Sequence, residues 1–292
     1  MPVSSEPVRP LVFFGHHKVA TSWVIKIFSD LGYLNGFRLE VANTAGEVDD
    51  AMLERLQAGK SQVLAFRNAD PVLLPQLGSF LGFHLIRDPR DLLVSSYFSH
   101  RNSHSTANWP ELEGHRESLC ALDVAEGLLL DMEFCADLMT NGHAVRPLQC
   151  LRAWDYHRDD ILELKYEDMV HNPYGFMLDV FRFLGVLSDD ELGMKTLMSH
   201  LKNIVRARML PSGRPRSMPM LPSWNVLSAV YDNRFEKKAK GRARGSEDQG
   251  SHYRKGVGGD WVNYFNPVHK ERFLELYGDV LIRTGYEGDN NW

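Results

Sequence analysis

The fold of this chain is decided by residues 11–31, LVFFGHHKVATSWVIKIFSDL. The first four residues have the length and apolar composition of a short buried strand. Trp23, Ile27 and Leu31 then recur at the spacing of one helix face. We place this helix at residues 21–31. The polar turn before it presents backbone N–H groups at a helix N-terminus, which favours a bound phosphate. The stretch therefore predicts a strand–loop–helix unit that binds an anion.

Two more strand–helix units follow. The apolar run at residues 62–66 leads to a predicted helix at residues 71–80. The run at residues 83–86 leads to a predicted helix from Pro89 to about residue 100. Both helices follow an Asp-Pro pair, which is typical of a helix start. Three such units in succession favour an α/β class, with a central, mostly parallel sheet flanked by helices.

The rest of the chain continues this alternation. A fourth strand is predicted at residues 161–165, and an amphipathic helix follows Asn172-Pro173 and ends at Gly185. Two further helices and two irregular segments are expected: helices at 117–142 and 268–284, loops at 211–222 and 234–259. Because the sequence has no internal repeat and no separate linker, we expect one domain over residues 1–292, with residues 1–10 flexible.

The composition limits the classes of function. The net charge is -5 and the pI about 6.2, so a surface that is basic throughout, as for nucleic acid or anionic membranes, is not expected. Cys120, Cys135 and Cys150 are odd in number and contain no C-x-x-C pair, which favours a reducing cytoplasm over a disulfide framework. The apolar run at residues 11–14 is too short for a signal peptide or a membrane span.

The loop after the first strand carries three groups that bind phosphates, the amine of Lys18 and the hydroxyls of Thr21 and Ser22. It does not match a Walker A loop, which needs glycine at the position of Ala20 and lysine at the position of Thr21. The composition alone therefore leaves both a phosphate site and an ordinary connecting loop open.

The loop resembles the phosphosulfate loop of the PAPS-dependent sulfotransferases, Lys-x-x-Thr-(Ser/Thr)-Trp. The matching residues are Lys18, Thr21, Ser22 and Trp23. The resemblance implies that Lys18 contacts the 5′-phosphosulfate and its bridging oxygen. It also implies that the loop from Val19 through Ala20 to Ser22 binds the 5′-phosphate, and that Trp23 stacks on the adenine. Core packing is the alternative role for Trp23.

A second motif, RDPRDLLVS at residues 87–95, resembles the 3′-phosphate site of the same family. The resemblance assigns that phosphate to Arg87 at the strand end and to Ser95 on the following helix. A bidentate guanidinium and a hydroxyl suit a phosphate dianion, and the 3′-phosphate distinguishes PAPS from ATP-like ligands. The alternative for Arg87 is an ion pair with Asp88 or Asp91.

Two later segments complete the resemblance, which runs in order from Phe13 to about Phe273. Tyr166-Glu-Asp168 resembles a segment whose tyrosine lies near the adenine, although its two carboxylates also suit a helix start. The run from Tyr253 through Gly259-Asp-Trp261 resembles an element whose basic pair and glycine amide cover the 3′-phosphate. The residues concerned are Arg254, Lys255 and Gly256, with Phe235 as an aromatic that faces the adenine.

The resemblance implies a three-layer P-loop-like fold and transfer of a sulfuryl group from PAPS to a hydroxyl or amine, with release of PAP. Such a transfer is in line, and Lys18 would stabilise the charge on the leaving phosphate more in the transition state than in the ground state. No metal is expected. Where cytosolic members have a catalytic histidine in Lys-x-His, this chain has Arg67-Asn-Ala69. Glu40 is the first candidate for the general base and His17 the second.

His100, His104 and His115 suggest either a metal site or, more in keeping with their position, part of the acceptor pocket. The acceptor is expected near Glu40, His100 and residues 211–222, and is a small molecule or a carbohydrate. The basic residues at 234–244 suggest a cover over the donor or a solvated loop, so no nucleic-acid partner is expected. The dimerisation segment of cytosolic members is matched only at Glu271, which leaves the oligomeric state open.

Two other functions remain as alternatives. One is a kinase-like enzyme with a degenerate P-loop, against which the missing Walker lysine and the 3′-phosphate motif count. The other is a non-catalytic module that binds PAP or a polyanion and lacks the base.

Overall fold

The computed structural model describes residues 9–107, 109–137, 139–140, 143–188, 198, 201, 205 and 218–292. In this part of the chain the strands are β1 (Leu11–Phe14), β2 (Leu39–Ala42), β3 (Val63–Phe66), β4 (Leu81–Ile86), β5 (Met139–Thr140), β6 (His143–Ala144), β7 (Ile161–Lys165), β8 (Leu187–Ser188) and β9 (Leu221–Pro222). The helices are α1 (Thr21–Asn35), α2 (Asp50–Gln57), α3 (Pro89–Asn102), α4 (Pro110–Ala121), α5 (Val124–Ala136), α6 (Pro147–Ala153), α7 (Tyr166–His171), α8 (Pro173–Phe183), α9 (Ser223–Asp232), α10 (Phe235–Lys238), α11 (Pro267–Tyr277) and α12 (Val280–Arg283). Short 3₁₀ turns cover Ala45–Glu47, Pro71–Gln76 and Asp260–Asn263.

The central sheet has the strand order β2-β3-β1-β4-β7, and every pairing in it is parallel. Phe14, the last residue of β1, pairs with Phe66 on one side and with His84 on the other. The loop after β1 therefore leaves from the middle of the sheet, where the carboxyl ends of neighbouring strands meet. The predicted parallel α/β sheet with flanking helices is confirmed.

Alternation along β1 separates the two faces of the sheet. Leu11 and Phe13 lie in the core under α1, α8 and α9, whereas Val12 and Phe14 lie in the core under α2 and the turn at Pro71–Gln76. Phe13 stacks on Phe83 with ring centroids 4.8 Å apart. Because a strand points successive side chains to opposite faces, a run of apolar residues without polar interruption requires cover on both sides.

Several predicted elements are confirmed near their expected bounds: β1, β3, β7, α1, α3 and α8. The start of α3 follows the expected chemistry, with Pro89 at the first position and the Asp88 carboxylate accepting from Arg90 N. The predicted helix at 71–80 is wrong, since only a 3₁₀ turn forms at Pro71–Gln76, which contains Pro75. Proline lacks the N–H that an α-helix needs there.

Three other boundaries differ from the sequence prediction. The predicted helix at 117–142 is two helices, because Asp123 caps a new helix and accepts from Glu126 N. The predicted helix at 268–284 is interrupted at Gly278, where φ is 55°. The sequence reading did not include β2 and α2. The strand is short, lies at the sheet edge and is only partly buried, so its apolar signal is weak.

The segment at 234–259 contains more structure than expected. It includes α10, and backbone hydrogen bonds join Gly245 N to Lys255 O and Asp248 N to Arg254 O. The expectations for residues 1–8 and for 211–217 lie outside the described residues. Within the described residues, no helix has the length and apolar character that a membrane crossing requires.

Candidate functional site

The loop after β1 is held in an unusual backbone conformation. Lys18 and Ala20 have φ of 63° and 65°, in the left-handed region that non-glycine residues rarely adopt. Gly15 is needed for a different reason, since a Cβ there would lie 2.2 Å from Thr21 Cγ2. The strain in this loop, about 1–3 kcal/mol per residue, is typical of a ligand clamp, and the loop ends at the free N–H groups of α1.

The loop borders an open cavity of about 370 Å³ at the carboxyl ends of the strands. All but one of the predicted donor-site residues line this cavity: Lys18, Ala20, Thr21, Ser22, Trp23, Arg87, Ser95, Tyr166, Phe235, Arg254, Lys255 and Gly256. The exception is Val19, whose side chain is buried in the core. The structure thus brings together residues that lie far apart in the chain.

Arg87, which directly follows β4, is fixed by backbone carbonyls. Its Nη1 donates to Lys18 O at 3.3 Å and its Nη2 to Val257 O at 3.1 Å. The guanidinium carbon lies 4.4 Å from the centre of the Tyr166 ring. Nε is buried and has no hydrogen-bond partner among the described residues. Since a buried N–H without a partner is costly, this donor suits an anionic ligand in the cavity.

The expected alternative, an ion pair of Arg87 with Asp88 or Asp91, is a minor feature. Asp88 pairs with Arg90, and Asp91 approaches Arg87 only to 3.8 Å. The Asp91 carboxylate instead accepts from Gly259 N at 2.6 Å and from Trp261 N at 2.8 Å. Asp91 therefore joins the motif that begins at Arg87 to the Gly259-Asp-Trp261 segment.

The basic pair Arg254 and Lys255 is partly compensated by carboxylates. Both side chains donate to Asp260, and Arg254 also donates to Glu247. Burial opposes the charge of Asp260, but these two cations hold its pKa below the ordinary value. The pair is thereby oriented beside the cavity, and Lys255 keeps part of its side chain exposed.

Glycine is required at position 256. Its φ is 69°, and a Cβ there would lie 2.5 Å from Cε2 of Phe235. Phe235 is buried and lines the cavity with Trp23, whose Nε1 donates to Asn233 O at 2.9 Å. Trp23 therefore has a structural hydrogen bond and a cavity-facing ring at the same time. Two aromatic rings that line the same cavity suit a planar base.

Lys18 lies where positive charge is concentrated. Burial, followed by the charges of Arg87 and Arg254, lowers the pKa of Lys18 to about 7, and Asp131 opposes this shift. A bound anion would reverse the shift, because an opposite charge favours the ammonium form. The cavity thus contains an excess of cations that an anionic ligand would stabilise.

The sequence analysis placed Glu40 first among the candidate bases, and the structure does not bring Glu40 to the cavity. Its carboxylate accepts from Arg55 Nε at 2.9 Å and from Ser61 Oγ at 2.7 Å. Ser61 precedes β3, so the carboxylate is directed to the amino end of the sheet, opposite to the loop. The hydrogen bond from Arg55 lowers the pKa of Glu40. This position is unsuited to a general base, which must reach the acceptor.

Several lining residues were missed or only partly anticipated from the sequence. Arg67, which follows β3, donates to Ser22 Oγ at 3.1 Å. The sequence could have indicated Arg67 by its position after a predicted parallel strand, because the carboxyl ends of neighbouring strands lie at one edge of the sheet. His104, Trp109 and His252 also line the cavity. Trp109 and His252 had no local signal, because they come from connecting segments.

Two chains of hydrogen-bonded side chains begin at neighbouring histidines of the loop. The inner chain is His16, His84 and Glu163; the outer chain is His17, His100 and Asp131. In the inner chain, the His16 and His84 Nε2 atoms are 2.7 Å apart, and His84 Nδ1 lies 2.6 Å from Glu163 Oε2. In the outer chain, the His17 and His100 Nε2 atoms are 3.1 Å apart, and His100 Nδ1 lies 2.7 Å from Asp131 Oδ1. His17 lines the cavity.

One group of side chains offers ligand atoms for a metal. Among the described residues, ligand atoms of His100, His115 and Asp131 lie within 4.8 Å of one another. Asp131 Oδ1 accepts hydrogen bonds from both imidazoles, at 2.7 Å and 2.9 Å. A metal ion would have to replace these hydrogen bonds, which already satisfy the buried carboxylate.

Comparisons with known proteins agree with this geometry. A family model described as "Sulfotransferase domain" matches residues 83–285. The chain is 24% identical over 203 residues to Cytosolic sulfotransferase 16 of Arabidopsis thaliana, which covers 69% of this chain and 51% of that protein. It is 24% identical over 199 residues to Sulfotransferase 2A1 of Homo sapiens, which covers 68% of this chain and 55% of that protein. The chain thus matches about half the length of these relatives.

Among solved structures, the crystal structure of mouse sulfotransferase SULT7A1 complexed with PAP has a TM-score of 0.51 at 17% identity. The likeness covers 94% of this chain and 84% of that one, and at this identity it shows the fold alone. The family match begins at Phe83, so the loop at Lys18 is an independent point of agreement. Because the family model matches well over half of the chain, this chain belongs to the sulfotransferase family.

Proposed function

We propose that this protein transfers a sulfuryl group from PAPS to the hydroxyl or amine of an acceptor and releases PAP. The observation that carries the proposal is one cavity lined by cations from three separate segments, Lys18 in the loop, Arg87 after β4 and Arg254 near the C-terminus. PAPS has a 5′-phosphosulfate and a 3′-phosphate, and several cations in one cavity suit these two anionic groups. The Nε of Arg87, which has no hydrogen-bond partner in the described part of the chain, supports a phosphate there.

Within this proposal, Lys18 binds the bridging oxygen and stabilises the negative charge that develops on the leaving phosphate. Thr21, Ser22 and the first N–H groups of α1 bind the 5′-phosphate. Arg67, hydrogen-bonded to Ser22, adds a second cation near the transferred group. Because Glu40 lies away from the cavity, His17 becomes the first candidate for the general base.

The acceptor is proposed to be a small molecule or a carbohydrate that reaches the cavity beside His104 and Trp109. One relative carries "cytosolic" in its name, and we extend that location to this chain as part of the proposal. Nothing in the cavity requires a metal for the transfer, since the charge is met by side-chain cations.

The test is calorimetric binding of PAP, with AMP as the matched control, because AMP differs only by the missing 3′-phosphate. We expect PAP to bind at least about 100-fold more tightly than AMP, since charge-assisted hydrogen bonds contribute about 1.5–3 kcal/mol each. Arg87→Ala should remove this preference and leave AMP binding nearly unchanged. Asp179→Ala, at an exposed ion pair on α8, serves as the control variant.

Turnover is then measured as PAP formation from PAPS with water, phenols, primary alcohols and amines as acceptors. Equal binding of PAP and AMP would contradict the proposal and favour the kinase-like alternative. Tight PAP binding without turnover on any acceptor would instead favour a non-catalytic PAP-binding module.

A further inference from the structure

The outer chain joins the cavity to a fully buried carboxylate. His17 and His100 have ring planes 25° apart and centroids 5.1 Å apart, which fits an in-plane N–H···N hydrogen bond between their Nε2 atoms. His100 then contacts Asp131 through Nδ1. The loop supplies His17, α3 supplies His100 and α5 supplies Asp131. Three separate elements therefore form one continuous path of hydrogen bonds.

Asp131 is the fixed end of this path. Burial opposes its charge, but His100 and His115 both donate to it, and they hold its pKa below the ordinary value. The carboxylate is therefore ionised and can only accept hydrogen bonds. Cys135 Sγ, 3.8 Å away, is directed to the other oxygen, Oδ2. The proton on His100 that faces Asp131 must then lie on Nδ1.

The contact between the Nε2 atoms of His17 and His100 requires one donor and one acceptor. Arg116 donates from Nε to the His100 carbonyl at 2.7 Å, and both His17 and Lys18 line the cavity. His100 is also fully buried. A neutral His100 with its proton on Nδ1 has a lone pair on Nε2, so the shared hydrogen bond must be donated by His17 Nε2. His17 then has its lone pair on Nδ1, for which the described residues offer no partner.

From this geometry we propose that Asp131, acting through His100, fixes the tautomer of His17 and thereby makes His17 Nδ1 the general base for the acceptor. The inference rests on the proposed function and deepens it. His17 is the catalytic residue, and His100 and Asp131 are positioning residues. The arrangement follows the logic of a histidine whose tautomer is set by a buried carboxylate, with a second imidazole inserted between them.

The proposed sulfuryl transfer needs no reactant besides PAPS and the acceptor. The acceptor oxygen forms a bond to sulfur while the bond from sulfur to the bridging oxygen breaks, and that electron pair stays on the phosphate of PAP. The hydroxyl proton moves to His17 Nδ1. The resulting imidazolium is stabilised by its Nε2–H bond to His100, whose own proton is held by Asp131. His17 returns this proton to solvent when the products leave.

The groups that face His17 explain why it is neutral before the reaction. Burial is the largest cause that holds the pKa of His17 well below its ordinary value. The Trp109 ring lies edge-on to it, with centroids 6.2 Å apart. A neutral imidazole is the form that can accept a proton.

The first test is nitrogen NMR of ¹⁵N-histidine-labelled protein in its complex with PAP. We expect His17 in the Nε2–H form and His100 in the Nδ1–H form. Asp131→Asn replaces an acceptor with an amide that can donate to His100 Nδ1, which should reverse both tautomers. Glu133→Gln, on the exposed side of the same helix, is the control and should change neither.

The second test is PAPS turnover in the same proteins, with water and the best acceptor of the panel. Asp131→Asn should lower kcat by about 10²–10⁴, with PAP affinity changed less than about threefold, because the wrong tautomer removes the base but not the donor site. His100→Phe tests the same path if Asp131→Asn fails to fold. Circular dichroism and PAP binding establish folding for each variant.

The outcomes distinguish a failure of the outer chain's role from a failure of the proposed function. Four results would each overturn the positioning role of His100 and Asp131. They are a cationic His100, unchanged tautomers in Asp131→Asn, unchanged kcat in a folded variant, and stoichiometric zinc on His100, His115 and Asp131. PAP binding by the wild type would leave the proposed function intact in each case. Failure of the wild type to bind PAP would instead overturn the proposed function, and with it the catalytic role of His17.

Discussion

His16 and His17 are neighbours in the sequence, yet the two hydrogen-bonded chains that they begin end at carboxyls of different charge. The inner chain ends at Glu163, whose carboxyl receives one further hydrogen bond, from Trp154 Nε1 at 2.8 Å. Burial raises the pKa of Glu163 to about 8. The outer chain ends at Asp131, which has two imidazole donors and a lowered pKa. Each carboxyl has two nitrogen partners, so the kind of partner separates them: two imidazoles at Asp131, and one imidazole with one indole at Glu163.

This difference indicates a structural role for the inner chain and a chemical role for the outer chain. In the inner chain, burial lowers the pKa of His84 to about 3, and His16 is almost fully buried. Together with the raised pKa of Glu163, this leaves all three side chains of the inner chain uncharged near neutral pH. It joins the loop to β4 and β7, and none of its three residues lines the cavity. In the outer chain, His17 borders the cavity. Only the outer chain combines a buried charge with access to a substrate.

The largest expected effect separates the two histidines directly. His17→Asn should lower kcat for PAPS by about 10²–10⁴ with little change in stability, because it removes the general base. Added imidazole should restore part of this activity. His16→Asn should instead lower the free energy of unfolding by about 1–3 kcal/mol, since it leaves a buried His84 nitrogen without its partner.

These variants are compared by steady-state kinetics and urea denaturation. Equal losses of kcat in both, with no rescue by imidazole, would show that the two histidines act only by shaping the loop. Neither the inner nor the outer chain would then take part in catalysis.

The next effect concerns Lys18, which follows His17 on the cavity side. Its pKa of about 7 without ligand should rise when PAP binds, because the phosphate charge favours the ammonium. PAP binding should therefore be strongest below pH 7. It should weaken by up to about tenfold per pH unit above that value, until the pH passes the pKa of the complex.

Calorimetry at pH 8 in Tris and in HEPES measures the linked proton, because the two buffers have different ionisation enthalpies. We expect uptake of close to one proton, and Lys18→Met should abolish it. Uptake that persists in this variant would assign the linked proton to another group.

A smaller effect tests the neutral end of the inner chain. With its pKa raised from the ordinary value to about 8, native Glu163 keeps a proton that the unfolded chain loses. Its contribution to stability is present at low pH and is lost as the pH rises from about 4.5 to 8. Glu163→Gln should therefore gain about 1–2 kcal/mol relative to the wild type between pH 5 and pH 8.

Urea denaturation at four pH values across this window measures the difference, with the exposed Glu133→Gln as the control. A Glu163 that is ionised at pH 6 would give a flat difference and would make the two chains electrostatically alike.

The smallest effect is expected at Glu40. Glu40→Gln should change kcat and PAP affinity by less than about twofold, because its carboxylate faces Arg55 and Ser61 rather than the cavity. It should cost about 1 kcal/mol of stability at most, since the ion pair is partly exposed. A loss of kcat of about 100-fold with normal PAP binding would restore Glu40 as the base.

The sequence by itself determined the parallel sheet and the residues of the proposed donor site. Arg87 and Tyr166 directly follow β4 and β7, Lys18 lies in the loop after β1, and parallel strands bring their carboxyl ends to one edge. Those positions depend only on local order along the chain. The motif at Arg254 was also found, because its residues are contiguous and carry a glycine that the backbone requires at position 256.

Only the tertiary structure decided which candidate bases lie near the cavity. The direction of the Glu40 side chain depends on Arg55 and Ser61, which belong to other elements. The link from His17 through His100 to Asp131 depends on how α3 and α5 pack beside the loop. Hydrogen bonds between distant side chains leave no periodic pattern in a sequence. Charge state and tautomer, which fix the chemistry, follow from burial and from those partners.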